Sequence, residues 1–139
     1  MVKSMEEKAI RLFAVRRNFS ENCSQVIFDG MGKLIQEEDG LTLTYFEEEN
    51  QGASVEVIVK DNQLWLNRKH QELSTNLYCI VNELSDIQVA NQYGQFPLKA
   101  YTHHIEYQDK KLTFIYDVVN GTEVIESYRF DWKWEEKSQ

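Results

Sequence analysis

Tyr45, Glu47 and Arg68 are the first residues in this 139-residue chain whose types and spacing could do chemistry. A guanidinium presents a rigid fork of donors that fits a carboxylate or phosphate, a phenol adds another donor, and a nearby carboxylate can orient the fork. Period two gives the three a common address. On extended strands Tyr45 and Glu47 share a face with Leu41 and Leu43, and Arg68 shares one with Leu64 and Leu66. If those leucines and Val55, Val57 and Val59 face inward, all three polar side chains do too. The first strand ends near Glu47, the second starts near Ala53, and the third runs back to end near Arg68, so both charges reach the same end of the structure. Two readings follow. Arg68 binds an anionic ligand, with Tyr45 donating and Glu47 orienting the guanidinium; or Glu47 and Arg68 form an internal ion pair that closes that end with nothing bound, because a buried charge needs a partner.

Other combinations carry less. His103 and His104 are adjacent, so on a regular strand they point to opposite faces and cannot share one ion without a bulge, and zinc needs further ligands; no metal site or cofactor is expected. Cys79 lies among Leu77, Tyr78, Ile80 and Val81, where apolar surroundings raise a thiol's pKa and make it inert. No glycine-rich phosphate loop is present. Glu47, Glu48 and Glu49 lack the alternating oxygen ligands of a calcium loop and read as a strand end. Tyr128, Phe130, Trp132 and Trp134 form an aromatic row that suits a core stripe or a stacking platform.

The elements that must position these residues are strands. Three Trp, seven Tyr and seven Phe favour half-buried pleated surfaces. Val124, Tyr128, Phe130, Trp132 and Trp134 occupy even positions while Glu123, Ser127, Arg129, Asp131 and Lys133 occupy odd ones, and Leu112, Phe114, Tyr116 and Val118 repeat the pattern. Asn120-Gly121 between these runs predicts a type I′ hairpin turn, and Asp61-Asn62 a second hairpin. Weaker strand patterns cover residues 8–20, 24–36, 73–81, 86–91 and 97–107, with Pro97 opening the last. Only residues 2–9 have helical composition, and residues 1–8 are expected as a mobile N-terminal segment of a single domain over 1–139. The expected fold is all-β, an antiparallel up-and-down closed barrel of about eight to ten strands, since closure removes the two exposed edges of an open meander.

Composition excludes several function classes. A net charge of -8 disfavours nucleic acid and anionic membranes, and Arg16 and Arg17 point to opposite strand faces, which dilutes the nearest basic patch. No apolar run approaches the roughly 20 residues that span a bilayer. Two cysteines and no stretch resembling a secretory signal favour a reduced, cytoplasmic protein.

Tyr45-Phe46-Glu47-Glu48, then Gly52, the valine-rich strand and Leu64-Trp65-Leu66-Asn67-Arg68 resemble the YwiB-like family of uncharacterised small bacterial proteins, and the likeness extends over about residues 8–134. Tyr45, Glu47 and Arg68 match the family's pattern of Tyr, spacer and Glu on one strand with Arg two strands later. Lys69 and His70 stand where the family carries a glycine. The resemblance implies a calycin-type, lipocalin-like β-barrel and no particular activity.

The expected function is a cytoplasmic barrel that binds a small, partly apolar anion through Arg68, Glu47 and Tyr45. The alternatives are an interaction module with a filled core, in which a dimer is one option, and a barrel enzyme using a tuned carboxylate; on balance the chain reads as a non-enzyme. Interior space discriminates them: Trp132, Phe130 and Phe114 filling the centre would favour the interaction module, as would exposed Trp65 and Phe46.

Overall fold

Alternation of apolar and polar residues becomes eleven strands in the computed structural model, which describes residues 5–47, 52–71, 73–91, 94–95 and 98–136. In chain order they are β1 (Met5–Asn18), β2 (Cys23–Glu37), β3 (Gly40–Glu47), β4 (Ala53–Lys60), β5 (Gln63–His70), β6 (Leu73–Ile80), β7 (Leu84–Asn91), β8 (Gly94–Gln95), β9 (Lys99–Gln108), β10 (Lys111–Asn120) and β11 (Glu123–Glu136). Every pairing is antiparallel. β1 to β6 form a meander, β11 pairs back onto β1, and β9 to β11 form a second meander. Closure falls to β7: its second half pairs with β6 through Ile87 to Ala90, and its first half with β9 through Leu84 to Asp86. The two-residue β8 pairs only with the end of β7, so ten strands make the closed wall.

The core is built from the inward rows. Ile10, Leu12 and Ala14 of β1, Leu41 and Leu43 of β3, Val55, Val57 and Val59 of β4, Leu64 of β5, Leu112 and Phe114 of β10, and Trp132 and Trp134 of β11 are all buried. Fully burying a Leu, Val or Phe stabilises the fold by about 1.5–3 kcal/mol each, so these rows dominate stability. The strongest expected pattern, along β11, holds at Trp132 and Trp134, relaxes to half-buried at Phe130 and Tyr128, and fails at Val124, which is 53% exposed. The reason is a bulge: Val118 pairs with Glu126 but Val119 with Val124, so Ile125 is the extra residue and parity flips beyond it.

Further departures concern turns and the N-terminus. Asn120 pairs with Glu123, so the hairpin turns on Gly121-Thr122, and Gly121 alone has positive φ (+66°). Those signs belong to a type II′ turn, in place of the expected type I′ centred on Asn120-Gly121. The type I′ pattern occurs at Asp109-Lys110, where both φ values are positive (51° and 64°). Met5 to Lys8, expected within a mobile or helical segment, extend β1 instead. Met5 pairs with Glu37 and Lys8 with Leu34, while Lys8 contacts Glu136 at 2.8 Å and Glu7 contacts Lys33 at 3.1 Å. Pairing with β2 along this segment, with the Lys8–Glu136 contact on the β11 side, outweighs local helical preference. Pro97, Glu48, Glu49 and residues 1–4 lie outside the described residues.

Candidate functional site

The inward rows change character along the barrel. On β1, Ile10, Leu12 and Ala14 are followed by Arg16; on β3, Leu41 and Leu43 by Tyr45 and Glu47; on β5, Leu64 and Leu66 by Arg68. β6 runs backward through Cys79 and Leu77 to Thr75, and β10 passes Leu112 and Phe114 to reach Tyr116. Antiparallel register brings these polar ends together, because Tyr45 stands opposite Val55, Val55 opposite Arg68 and Arg68 opposite Thr75. The result is an apolar, filled end and a polar mouth.

At the mouth Glu47 is 7% exposed and opposes Ala53, whose methyl group leaves room for Arg68 to reach diagonally across β4. Arg68 Nη2 donates to Glu47 Oε2 at 3.0 Å and Nε to Oε1 at 3.5 Å, a fork on a carboxylate. Arg68 keeps about a third of its side chain exposed (33%), so the pair seals one side of the mouth without leaving water entirely. Tyr45 is buried, and its hydroxyl oxygen accepts the Trp132 Nε1 proton at 3.1 Å from across the interior. Burial pushes the Tyr45 phenol well above its ordinary value, with the Glu47 charge adding to the rise and the Trp132 hydrogen bond and the Arg68 charge opposing it. Its ring lies 4.5 Å from that of Phe28, which folds over Gly30; a β-carbon at Gly30 would come within 3.1 Å of Phe28 Cζ. The structure therefore brings all three expected residues together, with Tyr45 turned toward Trp132 and the Glu47–Arg68 pair beside it.

Behind this pair lies a cavity of about 490 Å³, bounded by Val55, Leu66, Leu77, Phe130 and Trp132 on its apolar side. Arg16, Gln25, Tyr116 and Thr75 also line it. Tyr116 is 8% exposed, and its hydroxyl makes no hydrogen bond among the described residues; burial raises its pKa as well. Arg16 donates to Gln25 Oε1 at 3.0 Å and lies 5.5 Å above the Tyr128 ring. Sequence reasoning set Arg16 aside as half of a diluted patch. The signal was the unbroken even row Leu12, Ala14, Arg16, which carries the side chain inward. Gln25 is reached through a bulge, since Ala14 pairs with Phe28 but Val15 with Val26, leaving Ile27 extra.

A bulge also decides the histidines. Ile115 pairs with His104 and Tyr116 with Thr102, so His103 is the extra residue and both imidazoles emerge on the outer wall. His103 Nε2 lies 2.7 Å from Asp117 and His104 Nε2 3.8 Å from Glu106. Among the described residues no three His, Cys, Asp or Glu side chains gather as a metal site. Cys79 is fully buried and burial raises its thiol pKa; Cys23 is exposed, and both are free.

A family model described as a domain of unknown function, DUF1934, matches residues 12–131. The chain belongs to the DUF1934 family. Among solved structures, the YwiB protein from Bacillus subtilis superposes with a TM-score of 0.77 over 96% of each chain at 19% identity, which supports the shared barrel fold. No curated protein matches. For this DUF1934 member the functional reading thus rests on the mouth itself. The matched span contains both arginines, both tyrosines and the buried glutamate.

Proposed function

We propose that this barrel carries a small, partly apolar anion in its mouth, as a cytoplasmic protein of calycin-like, lipocalin-like design. The observation that supports this most directly is the 490 Å³ cavity where apolar walls meet two arginine side chains and the Tyr116 hydroxyl, which makes no hydrogen bond among the described residues. Small-molecule sites combine largely apolar linings with a few convergent polar groups. Trp132 and Phe114 fill the centre, as a side-chain-filled module requires, but Phe130 is only half-buried and the space beside it is open. The lining holds no His, Cys or Lys that could pair with Glu47 as a nucleophile or base, so binding accounts for these residues better than catalysis does. Free thiols at Cys23 and Cys79 agree with a reducing compartment, and among the described residues no helix is long and apolar enough to cross a membrane.

Native mass spectrometry of protein taken directly from cells tests the proposal. One small-molecule adduct per chain is expected, and it should be absent from Thr75→Trp, which fills the cavity without altering a charge. Wild-type protein that emerges with no adduct, or a Thr75→Trp protein that retains it, would count against the carrier reading.

A docking role for the outer wall is a second reading, favoured by Phe46 at 54% and Met31 at 45% exposure beside a groove of about 720 Å³. Trp65 contributes less, because it is half-buried and stacked on Tyr78 at 4.8 Å. Sedimentation velocity of wild type and Phe46→Ser reads it: a concentration-dependent dimer that Phe46→Ser abolishes supports self-association, whereas two equally monomeric proteins remove that form of the reading.

A further inference from the structure

The two arginines of the mouth are not equivalent. Arg68 is already neutralised, with its fork on Glu47 and that carboxylate buried at 7% exposure. A ligand anion arriving at Arg68 must share the guanidinium with a carboxylate that cannot leave cheaply. Arg16 lines the same cavity with a neutral amide oxygen, Gln25 Oε1 at 3.0 Å, and the face of Tyr128 as its partners. Among the described residues no carboxylate lies within ion-pair distance of it. Among the described residues of the lining, Arg16, Arg68 and Glu47 sum to one positive charge.

Two further observations concern the rest of the occupant. Tyr116 is a buried residue of this lining whose hydroxyl makes no hydrogen bond among the described residues, which leaves it available to a group in the cavity. The rings of Tyr116, Phe130 and Trp132 lie nearly parallel, with interplanar angles of 10° between Tyr116 and Phe130 and 10° between Phe130 and Trp132. Their row forms one wall of the cavity, a surface suited to a flat apolar body.

We infer that Arg16, not Arg68, is the anion anchor of the mouth, and that the occupant is a monoanion with a flat apolar body, its charged group held at Arg16 with Tyr116 as an additional hydrogen-bonding partner. Arg68 and Glu47 are then a closed pair that shapes the opening. This inference rests on the carrier reading.

The test uses two probes with one ring system: 8-anilinonaphthalene-1-sulfonate, a monoanion, and N-phenyl-1-naphthylamine, its neutral counterpart. Both are titrated by fluorescence against wild type, Arg16→Gln, Gln25→Glu, the double variant Glu47→Gln/Arg68→Gln, and Thr75→Trp. Gln25→Glu keeps Arg16 but gives it a carboxylate, so it answers the same question if Arg16→Gln fails to fold. Arg16→Gln and Gln25→Glu should each weaken the sulfonate about tenfold or more while leaving the neutral probe within about twofold. The double variant should hold the sulfonate within about threefold of wild type. Naphthalene-1-sulfonate should displace the bound probe at lower concentration than naphthalene-1,5-disulfonate, which brings a second charge with no cation to meet it.

Unchanged sulfonate affinity in Arg16→Gln or Gln25→Glu, a collapse confined to the double variant, or better displacement by the disulfonate overturns the inference while leaving a ligand-binding mouth. If neither probe binds, or Thr75→Trp binds both as well as wild type does, the carrier reading itself falls and this inference with it.

Discussion

The two ends of the barrel are made from the same strands, yet they do opposite things with their inward side chains. At the filled end Leu41, Leu43, Val57, Val59, Leu64 and Leu112 meet with almost no exposure. At the mouth, a few residues further along those strands or their neighbours, Arg16, Tyr45, Glu47, Arg68, Thr75 and Tyr116 surround open space. A polar inward row could serve to terminate a core, but termination needs only solvated residues. Here Glu47 is buried, and burying a carboxylate costs free energy that a simple strand end need not spend. One end holds the wall together, and the other uses that rigidity to hold polar groups at fixed positions.

The comparison breaks first at Phe114. It is fully buried and stacks on Tyr116 at 4.7 Å between the filled end and the mouth. Phe114→Ala should cost about 3–5 kcal/mol in urea denaturation, the cost of a large cavity in a packed core. A loss under about 1 kcal/mol would mean that the filled end is loosely packed and that the two ends differ less than their burial implies.

At the mouth the expected effects are smaller and depend on pairing. Glu47→Gln should destabilise by about 1–3 kcal/mol, because Arg68 loses its ionic partner while remaining partly shielded. The double variant Glu47→Gln/Arg68→Gln should recover part of that loss, since neither position then carries an unmatched charge. A double variant as unstable as the sum of its singles would show that the pair is uncoupled, and the 3.0 Å fork would then not describe the protein in solution.

How much of this was legible in the sequence depended on where parity survives. β3, β4 and β5 pair without a register shift from Gly40 to Lys69, so Tyr45, Glu47 and Arg68 could be placed on one face, and they do meet. Arg16 was equally legible from Ile10, Leu12 and Ala14, and the error lay in weighing it with Arg17 as a surface patch. Gln25, His103 and Val124 were not legible, because bulges at Ile27, His103 and Ile125 invert the side-chain alternation. Such bulges answer to the bending of a sheet that must close on itself, a non-local demand that no short run of residues records. The turn at Asp109-Lys110 was hidden for a related reason: it adopts positive φ without glycine. Closure through β7, split between two neighbours, follows from the path of the whole wall and has no local signature.

The smallest expected effect sharpens the comparison by its pH dependence. Tyr45→Phe removes the acceptor of the Trp132 indole proton and should destabilise by about 1 kcal/mol at pH 7. The Tyr45 phenol is raised above its ordinary value of 10.0, chiefly by burial. The folded state therefore keeps this proton where the unfolded chain releases it. Its contribution is fully present below pH 10 and is lost as pH rises further, at up to about 1.4 kcal/mol per pH unit. Phenylalanine carries no such dependence, so the deficit of Tyr45→Phe should close within about one unit above pH 10, and the variant should then become the more stable protein. Urea denaturation of both proteins at pH 7 and pH 11 measures this. A deficit that stays constant between those values would mean that the Tyr45 hydroxyl ionises as readily as in the unfolded chain, and hence that the mouth admits water to a depth the filled end does not.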